Sequence, residues 1–295
     1  MSQWLDRIAF SPWIHRPVIW GTTVNFKDVL CTGLMFTPML FAAAFGARLW
    51  IAFLGTAALI AFQPALLVFP FDILMSLWCW RSPAVWNPHQ LIPDLKASFL
   101  DPTTFARLRT ELMAIATVPL VSDVLPNQQD IASDKWRLLP IRTFGSTNAR
   151  LLSQMPCLAE LIHARPDILT VFYSKLDGHS RIAPHTGLCK AVLRVHIGIN
   201  IPEPGRAAIT VNGERLEWRQ GEAIAFDDMY VHGVEHSGDQ PRAVLWMDVV
   251  RPDIRNNRIL NWATHRLLSW IADSTWVREV ERRTENVLDT KTSVI

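Results

Sequence analysis

Paired cysteines and strong charge are both missing from this 295-residue sequence. Its four cysteines, Cys31, Cys79, Cys157 and Cys189, stand far apart with no CxxC pair, which argues against a zinc site or a disulfide framework and suits a reducing compartment. The formal net charge is only +2, without the clustered Lys and Arg that a nucleic-acid partner requires, so no nucleic acid is expected. No internal repeat or low-complexity tract is present. A secretory signal is not expected either, because 28 mostly polar or aromatic residues precede the first apolar run and a second run follows at once.

Two long apolar runs follow. "VLCTGLMFTPMLFAAAFGA" (29–47) and "LWIAFLGTAALIAFQPALLVFPF" (49–71) are separated by Arg48 alone and are each long enough to span a bilayer core of about 30 Å. They predict a two-helix transmembrane hairpin within residues 29–80, with kinks at Pro38, Pro64 and Pro70. Residues 1–28 then form an interfacial segment carrying Trp4, Trp13 and Trp20, matched beyond the second run by Trp78, Trp80 and Trp86. Arg7, Arg16, Lys27, Arg81 and Lys96 outnumber Arg48 in the connection, which predicts both ends in the cytoplasm. The lipid bilayer is thus an expected partner.

Composition changes after Arg81. The Pro-rich stretch "SPAVWNPHQLIPDL" predicts a linker over residues 81–100. Residues 101–116 place Phe105, Leu108, Leu112 and Ile115 at helical spacing, with Asp101 or Thr103 as cap. Strand-like runs such as "ILTVFYSKL", "AVLRVHIGINI" and "RAVLWMDVV" dominate from about Trp136 to Pro252, and "VNGE" marks a hairpin turn. Residues 253–295 return to helical periodicity as a tail, with Ile259, Trp262, Leu267, Trp270 and Ile271 as its apolar positions. In "AVLRVHIGI" the odd positions Ala191, Leu193, Val195, Ile197 and Ile199 are apolar, while Arg194 and His196 share the other face. Such a strand suits a barrel or sandwich lined by a functional cavity, the alternative being the solvated face of an ordinary sheet.

A specific constellation surrounds that strand. His185 lies two residues before Gly187, Arg194 nine residues after His185, His232 47 residues after it, and Arg242 ten beyond that. With "PHTG", "LRVHIGINIP", "GEAIAFDD" and "VLWMDVVRP", the sequence resembles the aspartyl/asparaginyl β-hydroxylase family of Fe(II)- and 2-oxoglutarate-dependent oxygenases over about Trp136–Pro252. The resemblance implies a mainly β fold, a double-stranded β-helix (jelly-roll) domain over 101–252 with flanking helices. It also implies His185 and His232 as iron ligands, and Ser174, Arg194, His196 and Arg242 as the groups holding 2-oxoglutarate. Fe(II), 2-oxoglutarate and O2 are the expected cofactor and co-substrates, and a guanidinium fork suits the distal carboxylate.

One departure stands out. Non-haem iron oxygenases usually carry a carboxylate ligand two residues after the first histidine, where this chain has Gly187. Hydroxylation is still expected, because some family members share the His-Thr-Gly form; a halogenase also lacks that carboxylate. Asp227 and Asp228 are expected in outer hydrogen bonding or turn formation, Trp136 at the substrate mouth or in the core, and Trp218 in the core. His179 and His236 are expected on loops, with contact to substrate as the alternative for His236. The combination of apolar runs, "MDVVRP" and a Trp-containing tail resembles the membrane-bound bacterial lipid hydroxylases. It implies an inner-membrane, multi-pass enzyme with a cytoplasmic catalytic domain, acting on the acyl chain of a membrane lipid of lipid A or ornithine-lipid type. The alternatives are an anchored hydroxylase of peptidyl or free Asp/Asn and a non-catalytic member of the family.

Overall fold

The computed structural model describes residues 23–44, 49–62, 64–125 and 134–292. Eleven strands among them build two antiparallel sheets. The major sheet runs in the order β1 (Val85–Trp86), β9 (Ala223–Phe226), β6 (Val192–Asn200), β11 (Arg242–Val250), β4 (Ile168–Leu176), β2 (Trp136–Thr143), β3 (Ser146–Thr147). The minor sheet runs β5 (Ser180–His185), β10 (His232–His236), β7 (Ala207–Val211), β8 (Glu214–Glu217). From β4 onward the chain passes repeatedly from one sheet to the other, which is the jelly-roll path expected from the sequence. Phe172, Ile209, Trp218, Phe226, Val234, Val244 and Trp246 fill the space between the sheets.

Seven longer helices flank this sandwich: α1 (Phe26–Ala44), α2 (Leu49–Phe62), α3 (Val68–Trp78), α4 (Pro102–Met113), α5 (Pro156–His163), α6 (Arg258–Ala272) and α7 (Thr275–Thr292). Asp101 caps α4 by accepting from the Thr104 backbone N–H at 3.0 Å. Leu108 and Leu112 on its inner face are fully buried against Leu193, Val195, Ile197 and Ile199 of β6, each such burial contributing about 1.5–3 kcal/mol. The alternation in β6 is therefore real. Its odd residues meet the helices, and Arg194 and His196 point between the sheets. Every residue of β6 but Asn200 is buried, so neither face is solvated.

The transmembrane expectation is corrected by the same structure. No described helix is long and apolar enough to cross a membrane. Residues 29–44 of the first apolar run sit in α1, whose first turn contains Lys27 and Asp28, both buried. The second run is broken where Pro64, which cannot donate a backbone hydrogen bond, opens a 3-10 turn over Pro64–Leu67. That leaves 14 residues in α2, about 21 Å of helix against a hydrocarbon core of about 30 Å. The expected two-helix hairpin, and with it the inner-membrane, multi-pass placement, is thus not what these residues form. Trp4, Trp13, Trp20, Arg7, Arg16 and Arg48 lie outside the described residues.

Instead, α3 packs its Val68 and Met75 beside Cys189, Ala191 and Val192 of the barrel and beside Leu267, Leu268 and Ile271 of α6. Within α6 the expected apolar positions divide: Leu267 and Ile271 are buried, whereas Ile259 and Trp262 are 77% and 67% exposed. The segment 81–100 is no free linker either. Val85 and Trp86 pair with Phe226 and Ala225, and Leu91, Ile92, Leu95 and Phe99 are fully buried in the outer core.

Candidate active site

The minor sheet brings the two histidines together. His185 ends β5 and His232 begins β10, and the register sets them directly opposite, with an irregularity in the pairing immediately after His232. Their ring centroids are 4.3 Å apart. Each ring is oriented by the carbonyl two residues before it: His185 Nδ1 lies 2.8 Å from the Ala183 carbonyl in β5 and His232 Nδ1 2.9 Å from the Tyr230 carbonyl in the bend before β10. A carbonyl can only accept, so both Nδ1 atoms carry the proton and both Nε2 lone pairs are left for a metal, the arrangement that oriented imidazole ligands adopt.

Burial keeps these rings neutral. It pushes His185 down to about 4, with the nearby Arg194 charge acting in the same direction. His232 falls well below the ordinary histidine value through burial and then through His185 and Arg194. His196, buried and flanked by Arg194 and Arg242, falls likewise. In the unfolded chain these three rings take up protons below about pH 6.5, while the folded protein resists doing so until about pH 4 at His185. These three rings therefore contribute a loss of stability as pH falls from 6.5 toward 4, each up to about 1.4 kcal/mol per pH unit, while the buried carboxyls of Asp228, Asp72 and Asp28, raised by burial, act in the opposite direction. Thermal melts of metal-free wild type and His185→Ala at stepped pH isolate the ring's share, and the same slope in both proteins between pH 6.5 and 4.5 would contradict it.

Deeper between the sheets lies a group of donors without acceptors. Arg242, at the start of β11 and 2% exposed, donates from Nη1 to Ser174 Oγ at 3.2 Å and lies over the Trp218 ring. No carboxylate faces it among the described residues, and burial alone pushes its guanidinium down to about 9. Ser174 Oγ also accepts from Trp136 Nε1 at 3.0 Å, which leaves its hydroxyl hydrogen to donate. Arg242 Nε, both ring nitrogens of His196 and Trp218 Nε1 are buried with no hydrogen-bond partner among the described residues. His196 is stacked on Trp218 and edge-on to Phe226. A buried cation and unpaired donors are costly unless a ligand satisfies them, and the ligand that does so is an anion.

Arg194 differs sharply. Its Nε donates to Asp248 Oδ1 at 2.8 Å, its Nη2 lies 2.7 Å from Asp228 Oδ2, and its guanidinium covers the Trp246 ring. Two carboxylates already neutralise it. Asp228 in turn occupies the space beside Gly187: the Gly187 N–H donates to the Asp228 carbonyl at 2.7 Å, and a Cβ on residue 187 would sit 1.9 Å from Asp228 Oδ2. Burial, only partly offset by Arg194, raises the Asp228 carboxyl to about 7, and its Oδ1 has no hydrogen-bond partner among the described residues. Gly187→Ala must therefore displace this carboxylate, with an expected loss of about 1–3 kcal/mol of stability visible as a lowered melting temperature. An unchanged melting temperature would show that the contact yields freely.

The other candidates separate by their partners. Asp227 binds buried Lys190 and Arg251 and accepts from the Met229 N–H, so it builds the turn after β9. His236 Nε2 lies 2.8 Å from the Gln240 carbonyl and its Nδ1 accepts from the Gly238 N–H, so it clamps its own turn. Exposed His179 pairs with Asp239. Trp136 is buried and reaches the site through Ser174. Asp248 was missed in the sequence, although it stands opposite Arg194 across the β6–β11 pairing, where opposite charges commonly meet.

The family model for aspartyl/asparaginyl beta-hydroxylase matches residues 103–252, just over half of the chain. This chain belongs to that family. Among curated members, an ornithine lipid ester-linked acyl 2-hydroxylase of Rhizobium tropici is 29% identical over 168 residues, 56% of this chain and 60% of that protein. The human aspartyl/asparaginyl beta-hydroxylase is 25% identical over 136 residues, 44% of this chain and 18% of that protein. The matched region thus spans about three-fifths of the first relative and under a fifth of the second. A prolyl hydroxylase of Trichoplax adhaerens overlays with a TM-score of 0.39 at 8% identity, covering 55% of this chain and 88% of that one, too loosely to bear on function. The matched residues 103–252 include His185, His232, Ser174, Arg194, His196 and Arg242.

Proposed function

We propose that the protein is an Fe(II)- and 2-oxoglutarate-dependent dioxygenase that hydroxylates an unactivated C–H bond on the acyl chain of a lipid. The observation that supports this best is the pairing of two ring-oriented histidines with a buried guanidinium that lacks a carboxylate. His185 and His232 offer Nε2 to the metal. Among the described residues no group of three His, Cys, Asp or Glu side chains is placed to hold an ion, so the chain would supply two ligands and leave the remaining positions to the co-substrates and water. When bound, the iron with 2-oxoglutarate and dioxygen supplies the oxidant that converts C–H to C–OH and releases succinate and carbon dioxide.

The chain's own residues do the positioning. Arg242 and Ser174 receive the distal carboxylate of 2-oxoglutarate, with His196 and Trp218 N–H donors beside it. Arg194 acts indirectly, holding Asp228 against Gly187. The Asp228 carboxyl then occupies the space that a side chain on residue 187 would need.

The acyl-lipid substrate follows the Rhizobium relative, and peptidyl Asp/Asn hydroxylation follows the human one. Lipid extracts and proteins from a deletion strain distinguish them. Loss of lipids one oxygen heavier than their partners supports the lipid substrate, whereas unchanged lipids with a newly unhydroxylated protein support the peptide.

A further inference from the structure

The loop that follows His185 is held from outside the barrel. Lys27, in the first turn of α1 and 3% exposed, donates from Nζ to the Gly187 carbonyl at 2.8 Å. Asn25, just before α1, reaches Thr186 Oγ1 from Nδ2 at 3.5 Å. Asp72 on α3 accepts from the Lys190 backbone N–H at 2.8 Å. On the opposite side the Gly187 N–H donates to the Asp228 carbonyl at 2.7 Å. Residue 187 is therefore gripped at both its polar backbone atoms, the N–H by the barrel and the C=O by α1.

A lysine is a costly choice for that place. An ammonium taken out of water needs compensation, and here it finds one backbone carbonyl plus the Asp28 carboxylate at 3.7 Å. Simple packing of α1 would be served by leucine or methionine. What the ammonium adds is a fixed point for the peptide two residues beyond the first metal-facing histidine.

We infer that Lys27 is a positioning residue for His185: by holding the Gly187 carbonyl it fixes the turn that aims the His185 Nε2 toward the position shared with His232. This rests on the two-histidine metal reading above. It makes α1 part of the wall of the active site, and it accounts for a buried charge at the edge of an apolar run.

Co(II) is the probe, because it accepts imidazole ligands and its visible absorption reports on their geometry. The full-length protein is titrated as wild type, Lys27→Met, Lys27→Arg, Thr23→Val and His185→Ala. Thr23 is buried like Lys27, but its hydroxyl bonds Ser76 on α3 rather than the loop. Lys27→Met is expected to weaken Co(II) binding about 10- to 100-fold, the usual effect of losing a group that orients a ligand, and to alter the absorption spectrum. Lys27→Arg should recover most of the affinity, and Thr23→Val should stay within about twofold of wild type while lowering the melting temperature. Wild-type affinity and spectrum in Lys27→Met, or an equal loss in Thr23→Val, would overturn the inference. Should Lys27→Met fail to fold, Lys27→Gln carries the same comparison. If His185→Ala binds Co(II) as wild type does, the two-histidine reading itself fails, an outcome separate from failure at Lys27.

Discussion

His185→Ala and His232→Ala are each expected to reduce Fe(II)-dependent turnover of 2-oxoglutarate to background. On the proposed reading the chain would offer the metal two imidazoles and, among the described residues, no third protein ligand, so each histidine would be half of the protein's hold on the ion. Neither can be replaced by its neighbour, because each ring is fixed by a hydrogen bond from Nδ1 to the carbonyl two residues before it. Both variants should fold. They remove neutral rings whose burial makes no ion pair, and their metal-free forms should hold on better at low pH than wild type, because one proton-resisting ring is gone. Equilibrium dialysis of Fe(II) under nitrogen, followed by a succinate assay in air, checks both steps. Either variant retaining metal and turnover would remove the ligand assignment.

Arg242→Met is expected to act in opposite directions on binding and stability. Truncating one partner of a buried charge pair typically costs about 2–5 kcal/mol, roughly 30- to several-thousand-fold in the 2-oxoglutarate requirement. In the absence of co-substrate the same substitution should leave the protein as stable as wild type or more so. The guanidinium it removes is fully desolvated, touches Ser174 and Trp218, and has no carboxylate opposite it. Arg194→Met should behave differently. It strands Asp228 and Asp248 without their cation, and breaking such a pair costs about 3–5 kcal/mol of folding stability. Thermal melts paired with 2-oxoglutarate titrations separate the two arginines. A destabilised Arg242→Met with an unchanged co-substrate requirement would reverse the roles assigned here.

The division between these arginines was not legible in the sequence, although both positions were. Alternation along β6 placed Arg194 and His196 on the inner face, and spacing marked His185 and His232, because period-two patterning and ligand chemistry are local properties. Which arginine is already neutralised depends on Asp228 and Asp248, contributed by a turn and another strand, and no local pattern encodes that meeting. The N-terminal helices failed for a related reason. Run length and missing charge describe a bilayer-spanning helix and a helix packed on a protein equally well; what distinguishes them is the placement of Lys27 and Asp72 against the His185–Ala191 loop, a contact more than a hundred residues away in sequence. "SPAVWNPHQL" misled differently, since its prolines suggested a linker where Val85 and Trp86 add an edge strand.

The most direct test is isotopic. Purified protein is incubated with Fe(II), 2-oxoglutarate, oxygen-18 gas and an ester-linked acyl lipid. The account predicts one oxygen-18 atom in succinate and one in the hydroxylated acyl chain, in equal amounts, with both products absent from His232→Ala. Acyl hydroxylation without succinate, or with its oxygen drawn from water, would contradict it.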